Sequence, residues 1–232
     1  MGSKSFFKIL TIPAAKQCQG SVIMLHGSGG TGPIARWGIK FALDEELVFP
    51  HLRIHYLTAP LRPYTLNGGF NQNVWFDRID LREDCPEHYE SISEMAGKLS
   101  QFISKEIEEG IPPNKIILGG FSMGGAMSLH LGYTFHPELA GIFCMSSFLY
   151  KKSKVYESLS KSSKQLPPLF MAHGDADDLV SFSWGRATFD KLTELGVKGV
   201  FHSLPHVEHE HSKEEILSLK QWIMDLVPPN AN

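Results

Sequence analysis

The segment Gly120-Phe121-Ser122-Met123-Gly124 has the residue types and the spacing of a nucleophilic serine. A β-branched apolar run, 115–119, precedes it, and a helical pattern, 126–131, follows it. A Gly-x-Ser-x-Gly sequence between a strand and a helix is typical of a sharp turn that holds a serine hydroxyl clear of a sheet edge. Glycine fits two residues to either side because a side chain would collide there. We therefore predict that Ser122 is a nucleophile.

A serine hydroxyl is a weak nucleophile at neutral pH, so it needs a histidine to take its proton and an acid to orient that histidine. Candidate acids follow the apolar run 169–172, at Asp175, Asp177 and Asp178. Asp175 lies nearest the predicted strand and can cap the turn after Gly174. Asp177 and Asp178 lie further out and can better reach another loop. Position favours Asp177 and leaves the other two open.

Candidate bases follow the next apolar run, 200–204. His202 is expected inside that strand and His211 at the start of the final helix, which leaves His206 and His209. Position alone does not separate these two. In an open parallel sheet the ligand site lies beyond the carboxyl ends of the strands, which is where both loops begin. The order serine, acid, histidine is that of the α/β-hydrolases.

A glycine-rich loop at 26–30 follows the apolar strand pattern 22–25. In this type of sheet such a loop donates one backbone N–H to the developing oxyanion, and the residue after the nucleophile, here Met123, donates another. One such donor contributes about 3–4 kcal/mol in the transition state. The alternative is a phosphate-binding loop. The sequence lacks both the Gly-Lys-Ser/Thr of a P-loop and a GxGxxG spacing, which argues against it.

Short apolar strands that alternate with amphipathic helices must position these residues. We predict strands at 6–12, 21–26, 52–57, 115–120, 141–146, 169–173 and 199–204. We predict helices at 34–43, 88–108, 123–135, 184–195 and 213–226. Several strands are apolar throughout, as expected where helices cover both faces of a parallel sheet. The prediction is one α/β domain over residues 1–232, with a core at about 6–227 and a flexible tail at 228–232.

One long connection, 58–86, has no clear period and contains three prolines. A loop of this length is usually functional or ordered by its own packing. We expect Trp75 and Phe76 to pack it onto the core rather than to line a pocket.

Composition excludes several classes of protein. Of 232 residues, 42% are hydrophobic and 20% charged, and the net charge is −3, an ordinary globular profile. There is no basic block to bind nucleic acid, and no apolar run is long enough to span a membrane. The N-terminus lacks a signal-peptide pattern. Cys18, Cys85 and Cys144 are scattered without CxxC spacing, which is typical of a reducing compartment. We therefore expect a cytoplasmic protein.

The motifs together resemble the acyl-protein thioesterase/lysophospholipase family of α/β-hydrolases, from about residue 20 to 226. The matching segments are 25–29, 58–60, 73–77, 84–88, 119–125, His173-Gly174 with Asp177 and Val180, and His209-Glu210. The resemblance implies an α/β-hydrolase fold with Ser122 as nucleophile, Asp177 as acid and His209 as base. It also implies that the N–H groups of Ser28 and Met123 form the oxyanion hole.

The activity implied by the resemblance is hydrolysis of acyl thioesters or carboxylic esters, with S-acylated proteins as substrates and protein depalmitoylation as the outcome. Two departures from the family pattern argue for a shallow acyl pocket. Ser28 stands where thioesterase members carry an apolar residue. The loop 76–86 is more charged than the lining of an acyl tunnel, with Arg78, Asp80, Arg82, Glu83 and Asp84. A long acyl chain gains about 0.8 kcal/mol per buried CH₂ only in an apolar channel.

Alternatives remain for the function. One is a short-chain carboxylesterase without a protein-thioesterase role, and another is a catalytically silent fold that serves only for binding. The histidines at 202, 206, 209 and 211 could suggest zinc, but their spacing does not match a standard helical pair, and a serine triad needs no metal. We therefore predict neither a metal nor a cofactor. The sequence leaves the oligomeric state open.

Overall fold

A computed structural model describes residues 6–161 and 165–230. Strands in this part of the chain, in order, are β1 Lys8–Ile12, β2 Gly20–Leu25, β3 Leu52–Thr58, β4 Leu61–Pro63, β5 Asn71–Asn73, β6 Ile116–Phe121, β7 Gly141–Met145, β8 Leu169–Gly174 and β9 Gly199–Leu204. The helices are α1 Gly32–Leu43, α2 Tyr89–Glu108, α3 Met123–His130, α4 Lys154–Ser160, α5 Phe182–Glu194 and α6 Lys213–Leu226.

The seven-stranded sheet has the strand order β1-β3-β2-β6-β7-β8-β9. Only β1 runs antiparallel within this sheet, against β3, and the other neighbouring pairs are parallel. The mostly parallel sheet of the sequence prediction is thereby confirmed. Because parallel strands end at the same edge, the loops after β2, β6, β8 and β9 meet there.

Two apolar layers enclose the sheet, which explains why its strands do not alternate in polarity. In β6, Ile116 and Leu118 belong to the layer that includes α2 and α3. The intervening Ile117 belongs to the opposite layer, with Ile39 of α1 and Ile223 of α6. Helices therefore cover both faces, as predicted.

Local sequence signals fix where several helices begin. Thr31 precedes α1, and its hydroxyl accepts the N–H of Ile34, while Pro33 occupies the first turn. Ser212 plays the same part for α6 by accepting the N–H of Glu215. The predicted bounds of α6 and β9 match the structure. The helix predicted at 123–135 divides instead into α3 and a π-helical turn, Leu131–Phe135.

The long connection 58–86 contains a separate two-stranded hairpin of β4 and β5, which the sequence did not predict. A 3₁₀ turn, Thr65–Asn67, lies at its tip. Trp75 and Phe76 are fully buried, which confirms that they pack this segment onto the core.

The expected flexible tail, 228–232, falls partly outside the described residues, at 231–232. Within the described part, the Asn230 N–H donates to Gln19, and the Lys115 ammonium donates to the Asn230 side chain. Among the described helices, none combines the length and the apolar character needed to cross a bilayer.

Candidate active site

Ser122 occupies the turn between β6 and α3 in a left-handed backbone conformation, with φ 53° and ψ −122°. A non-glycine residue in such a conformation costs on the order of 1–3 kcal/mol, so the surrounding structure must hold it. Its N–H donates to the Met145 carbonyl at 2.8 Å. A Cβ on Gly120 or Gly124 would collide with the carbonyl of Leu25 in β2. The glycine requirement predicted from the motif is confirmed.

Asp177 lies in the loop after β8 with its carboxylate completely buried. One oxygen, Oδ1, accepts the N–H groups of Leu179 at 3.1 Å and Val180 at 2.8 Å. The other, Oδ2, lies 2.7 Å from Nδ1 of His209. The backbone bonds fix the carboxylate, and the carboxylate in turn fixes the imidazole.

His209 lies in the loop after β9, and 14% of its side chain is exposed. Its ring packs against Phe121, with the ring centroids 4.7 Å apart. Because a carboxylate can only accept, Nδ1 donates to Asp177, and in the neutral ring Nε2 is the nitrogen that can accept a proton. His209 and Ser122 line the same pocket.

The three predicted residues thus lie together, and a hydrogen bond joins two of them, Asp177 and His209. Within residues 6–161 and 165–230, no hydrogen bond joins the Ser122 hydroxyl to His209. Such bonds are often long before substrate binds and shorten in the Michaelis complex.

The other acids that position left open have different surroundings. Asp175 accepts the N–H of His206 at 2.6 Å and so braces the loop after β9. Asp178 is exposed, as is His206, which has a left-handed backbone with φ 62°. None of these three side chains reaches the pocket that Ser122 lines.

The remaining histidines of the cluster have structural partners. His202 stacks on Phe170, with the ring centroids 4.8 Å apart. His211 lies 3.0 Å from the carboxylate of Glu215. Across the described part of the chain, no three His, Cys, Asp or Glu side chains are arranged to hold a metal ion.

His173 belongs to one of the segments that match the family, but no role was predicted for it from the sequence. It is completely buried at the end of β8, with Nε2 2.8 Å from the Val180 carbonyl and 3.3 Å from Asp177 Oδ2. Burial lowers its pKa, which favours the neutral ring. Gly185 of α5 lies so close to that ring that a Cβ would collide with it. His173 therefore supports the loop that carries Asp177.

Two backbone N–H groups lie close to Ser122 without an acceptor in the described residues, those of Ser28 and Met123. Met123 is the first residue of α3, where helical N–H groups have no intrahelical partner. The Ser28 hydroxyl lies 3.7 Å from the Met123 sulfur and links the two segments. Both N–H groups are therefore candidate donors to an oxyanion.

The loop that carries Ser28 is held by His26. Its Nδ1 donates to the Gly27 carbonyl at 2.6 Å, and its Nε2 accepts the Ala59 N–H at 3.0 Å. The Trp75 indole donates to the His26 carbonyl at 2.8 Å. Burial lowers the pKa of His26 to about 4, so the ring is neutral at pH 7 and can accept that bond.

Cavities lie on both sides of Ser122 and His209. A pocket of about 300 Å³ includes Ser122, His209, Leu179, Val180 and the buried Arg78 among its walls. A larger apolar groove of about 650 Å³ runs from the same Ser28 loop and His209 along α1.

Exposed apolar side chains of α1 form one wall of the groove. Trp37 is 64% exposed and Phe41 is 75% exposed, and their rings stack with centroids 5.3 Å apart. An apolar surface of this kind next to a pocket is a common feature of binding sites.

Comparisons with known proteins show the family of the chain. The phospholipase/carboxylesterase family matches residues 8–227. Mouse lysophospholipase-like protein 1 is 50% identical, over 90% of this chain and 87% of that protein. Acyl-protein thioesterase 1 of Neurospora crassa is 34% identical, over 96% and 93% respectively. The crystal structure of maize acyl-protein thioesterase 2 superposes with a TM-score of 0.81 at 28% identity, over 94% of this chain and 98% of that one. The resemblance and the α/β-hydrolase fold predicted from the sequence are confirmed, and the chain belongs to the phospholipase/carboxylesterase family of serine hydrolases.

Proposed function

We propose that this protein hydrolyses acyl thioesters or carboxylic esters with Ser122 as nucleophile, His209 as base and Asp177 as the acid that orients it. The observation that carries this proposal is the 2.7 Å contact between His209 Nδ1 and Asp177 Oδ2. In the neutral ring this contact leaves Nε2 free to take the hydroxyl proton, and His209 lines the same pocket as Ser122.

The reaction runs in two halves. As the Ser122 oxygen bonds to the acyl carbon, its proton moves to His209 Nε2, and the oxyanion accepts the N–H groups of Ser28 and Met123. Collapse breaks the bond to the leaving thiolate or alkoxide, which takes the proton from His209. Water then attacks the acyl-enzyme, gives a proton to His209, and releases the carboxylic acid when that proton returns to Ser122.

The substrate that the relatives support is an S-acylated protein, because two of them are named acyl-protein thioesterases. The groove along α1 has room for the leaving part of such a substrate, next to the base that protonates it. The pocket of about 300 Å³ supports a short acyl group. An apolar cavity of about 150 Å³ holds one benzene, so the pocket suits on the order of ten heavy atoms. A carboxylesterase with small substrates is the second candidate, favoured by this size.

The test is kcat/KM for matched thioesters and oxygen esters with two to sixteen acyl carbons. We expect a rise to about eight carbons and no gain beyond, because the pocket is then full. Ser122→Ala is the control for background hydrolysis. A steady rise to sixteen carbons would overturn the short-acyl assignment. Absence of turnover with every ester and thioester would favour a silent binding fold.

The cytoplasm is the compartment we propose for this activity. Cys18, Cys85 and Cys144 are all free thiols, as in proteins of reducing compartments. Burial raises the pKa of Cys144 to about 12, so it is unreactive. The tagged protein should fractionate with cytosolic markers. Recovery from the secretory pathway would contradict this location.

A further inference from the structure

Arg78 is a cation buried in the wall of the pocket that Ser122 lines. Only 3% of the residue is exposed. Its guanidinium carbon lies 5.2 Å from the ring centroids of both Phe76 and Phe148, and 5.8 Å from that of Tyr150. Three aromatic rings thus hold the guanidinium in place through cation–π contacts.

The charge of Arg78 has no counter-ion within residues 6–161 and 165–230. Among the described residues, no hydrogen bond or ion pair involves the Arg78 guanidinium, and its Nε is enclosed without an acceptor. The acidic group that acts on it from further away, Glu87, is already engaged. One oxygen of Glu87 lies 2.9 Å from His130 Nε2, and the other accepts the Lys154 N–H at 2.9 Å.

An unpaired buried charge is unfavourable, and proteins rarely keep one without a use. Arginine cannot relieve it by losing its proton at neutral pH. The aromatic rings interact with the charge of the guanidinium but do not accept its N–H groups. Those planar donors match a carboxylate, which can accept two of them side by side.

We propose that Arg78 binds a carboxylate at the far end of the acyl group, so that the preferred substrates are half-thioesters or half-esters of short dicarboxylic acids. This inference rests on the proposed function, because it requires the acyl group to enter the pocket beside Ser122. A terminal carboxylate is ionised at pH 7. Acyl groups of about four to six carbons match the pocket, given the heavy-atom count that its volume allows.

A matched pair of substrates tests the charge directly. Adipyl and 6-methylheptanoyl thioesters of N-acetylcysteamine have the same shape, and only the first ends in a carboxylate. We expect kcat/KM, corrected for uncatalysed hydrolysis, to be at least about tenfold higher for adipyl. Equal values, or a preference for the neutral acyl group, would overturn the inference while leaving the proposed hydrolase function intact.

Variants connect this preference to Arg78. Arg78→Met should bring the ratio of the two kcat/KM values close to one, whereas Arg78→Lys should retain part of the preference. Arg82→Met is the matched control, since Arg82 is an exposed arginine of the same loop, 2.8 Å from Asp80. It should leave the ratio unchanged. An Arg78→Met protein that loses both activities equally would show that the residue has a structural role alone.

A binding measurement covers the cases in which turnover is absent or Arg78→Met does not fold. Ser122→Ala protein should bind the monoamide of adipic acid at least about tenfold more tightly than 6-methylheptanamide in calorimetry, because only the adipic monoamide carries a carboxylate that Arg78 can bind. Equal affinities would refute the role of Arg78. Tight binding of the adipic monoamide without any thioester hydrolysis would instead refute the proposed function and keep the anion site.

Discussion

Asp177 and Asp175 are two residues apart, yet their surroundings differ in kind. The Asp177 carboxylate is completely buried and divides its oxygens between two backbone N–H groups and His209. Asp175 is exposed, and its carboxylate accepts a backbone N–H of the neighbouring loop. Only Asp177 contacts the His209 ring and can hold its neutral form in the tautomer with Nε2 free.

Replacing each acid by its amide separates these roles. We expect Asp177→Asn to lower kcat about a thousandfold or more, because an amide stabilises the wrong tautomer of His209. Asp175→Asn should lower it less than about tenfold, since it removes only a brace of the loop. The measurement is kcat with one short thioester under saturating conditions. If Asp175→Asn proved the more damaging variant, the assignment of the acid would be wrong.

His26 should make the protein less stable in acid. Its pKa is about 4 in the folded state, against an ordinary value of 6.5. Between these pH values the unfolded chain binds the proton and the folded protein does not, so stability falls as the pH drops. At pH 4.5 the loss is about 2–3 kcal/mol.

Urea unfolding at pH 7 and pH 4.5 measures this loss. In His26→Gln, an amide replaces the titrating ring and can still accept the Ala59 N–H. The difference between the two pH values should therefore shrink by about 2–3 kcal/mol. An unchanged difference would show that His26 does not carry the acid sensitivity.

Helix α5 touches the site through a glycine. A methyl group on Gly185 would collide with the His173 ring, which lies 3.3 Å from Asp177. We expect Gly185→Ala to cost about 1–3 kcal/mol through overpacking and to lower kcat, because the acid loop shifts with the ring. Thermal unfolding and kcat measure the two effects.

Gly97→Ala is the matched control for that variant. Gly97 is an exposed glycine of α2 with no atom close to an added Cβ. Alanine there should stabilise the helix by up to about 1 kcal/mol and raise Tm by about 2–4 °C, with kcat unchanged. A neutral Gly185→Ala would show that the contact with His173 has no importance.

Sequence patterns were most informative where an element is long and regular. The helix predicted at 213–226 has the observed bounds of α6, and the structure shows that Ser212 caps it. The hairpin β4–β5 was missed because strands of three residues, one of them ending in Pro63, carry too little pattern. Helix α4 was missed because seven residues give less than two periods.

At the scale of the molecule, the order of the strands explains which parts of the site the sequence could predict. Ser122 was predictable because strand, turn and helix are local. Parallel topology also predicted that the loops carrying the acid and the histidine meet at one edge of the sheet. The contacts of Arg78 could not be predicted. Two of the rings that surround its guanidinium, those of Phe148 and Tyr150, lie about seventy residues further along the chain.

The two cavities should separate specificity for the acyl group from specificity for the leaving group. With one acyl group, Trp37→Ala should raise KM several-fold for an S-acylated peptide but not for an N-acetylcysteamine thioester, because only the peptide extends along α1. Val200→Ala, at an exposed position of β9, serves as control. Equal effects on both substrates would contradict a leaving-group role for the groove.

The proposed mechanism activates Ser122 through a histidine that Asp177 orients. Its most direct test is reaction of the intact protein with a fluorophosphonate, followed by peptide mass spectrometry. We expect one adduct, on Ser122, and a labelling rate reduced at least about a hundredfold in His209→Ala. Labelling of another serine, or a rate that His209→Ala leaves unchanged, would contradict it.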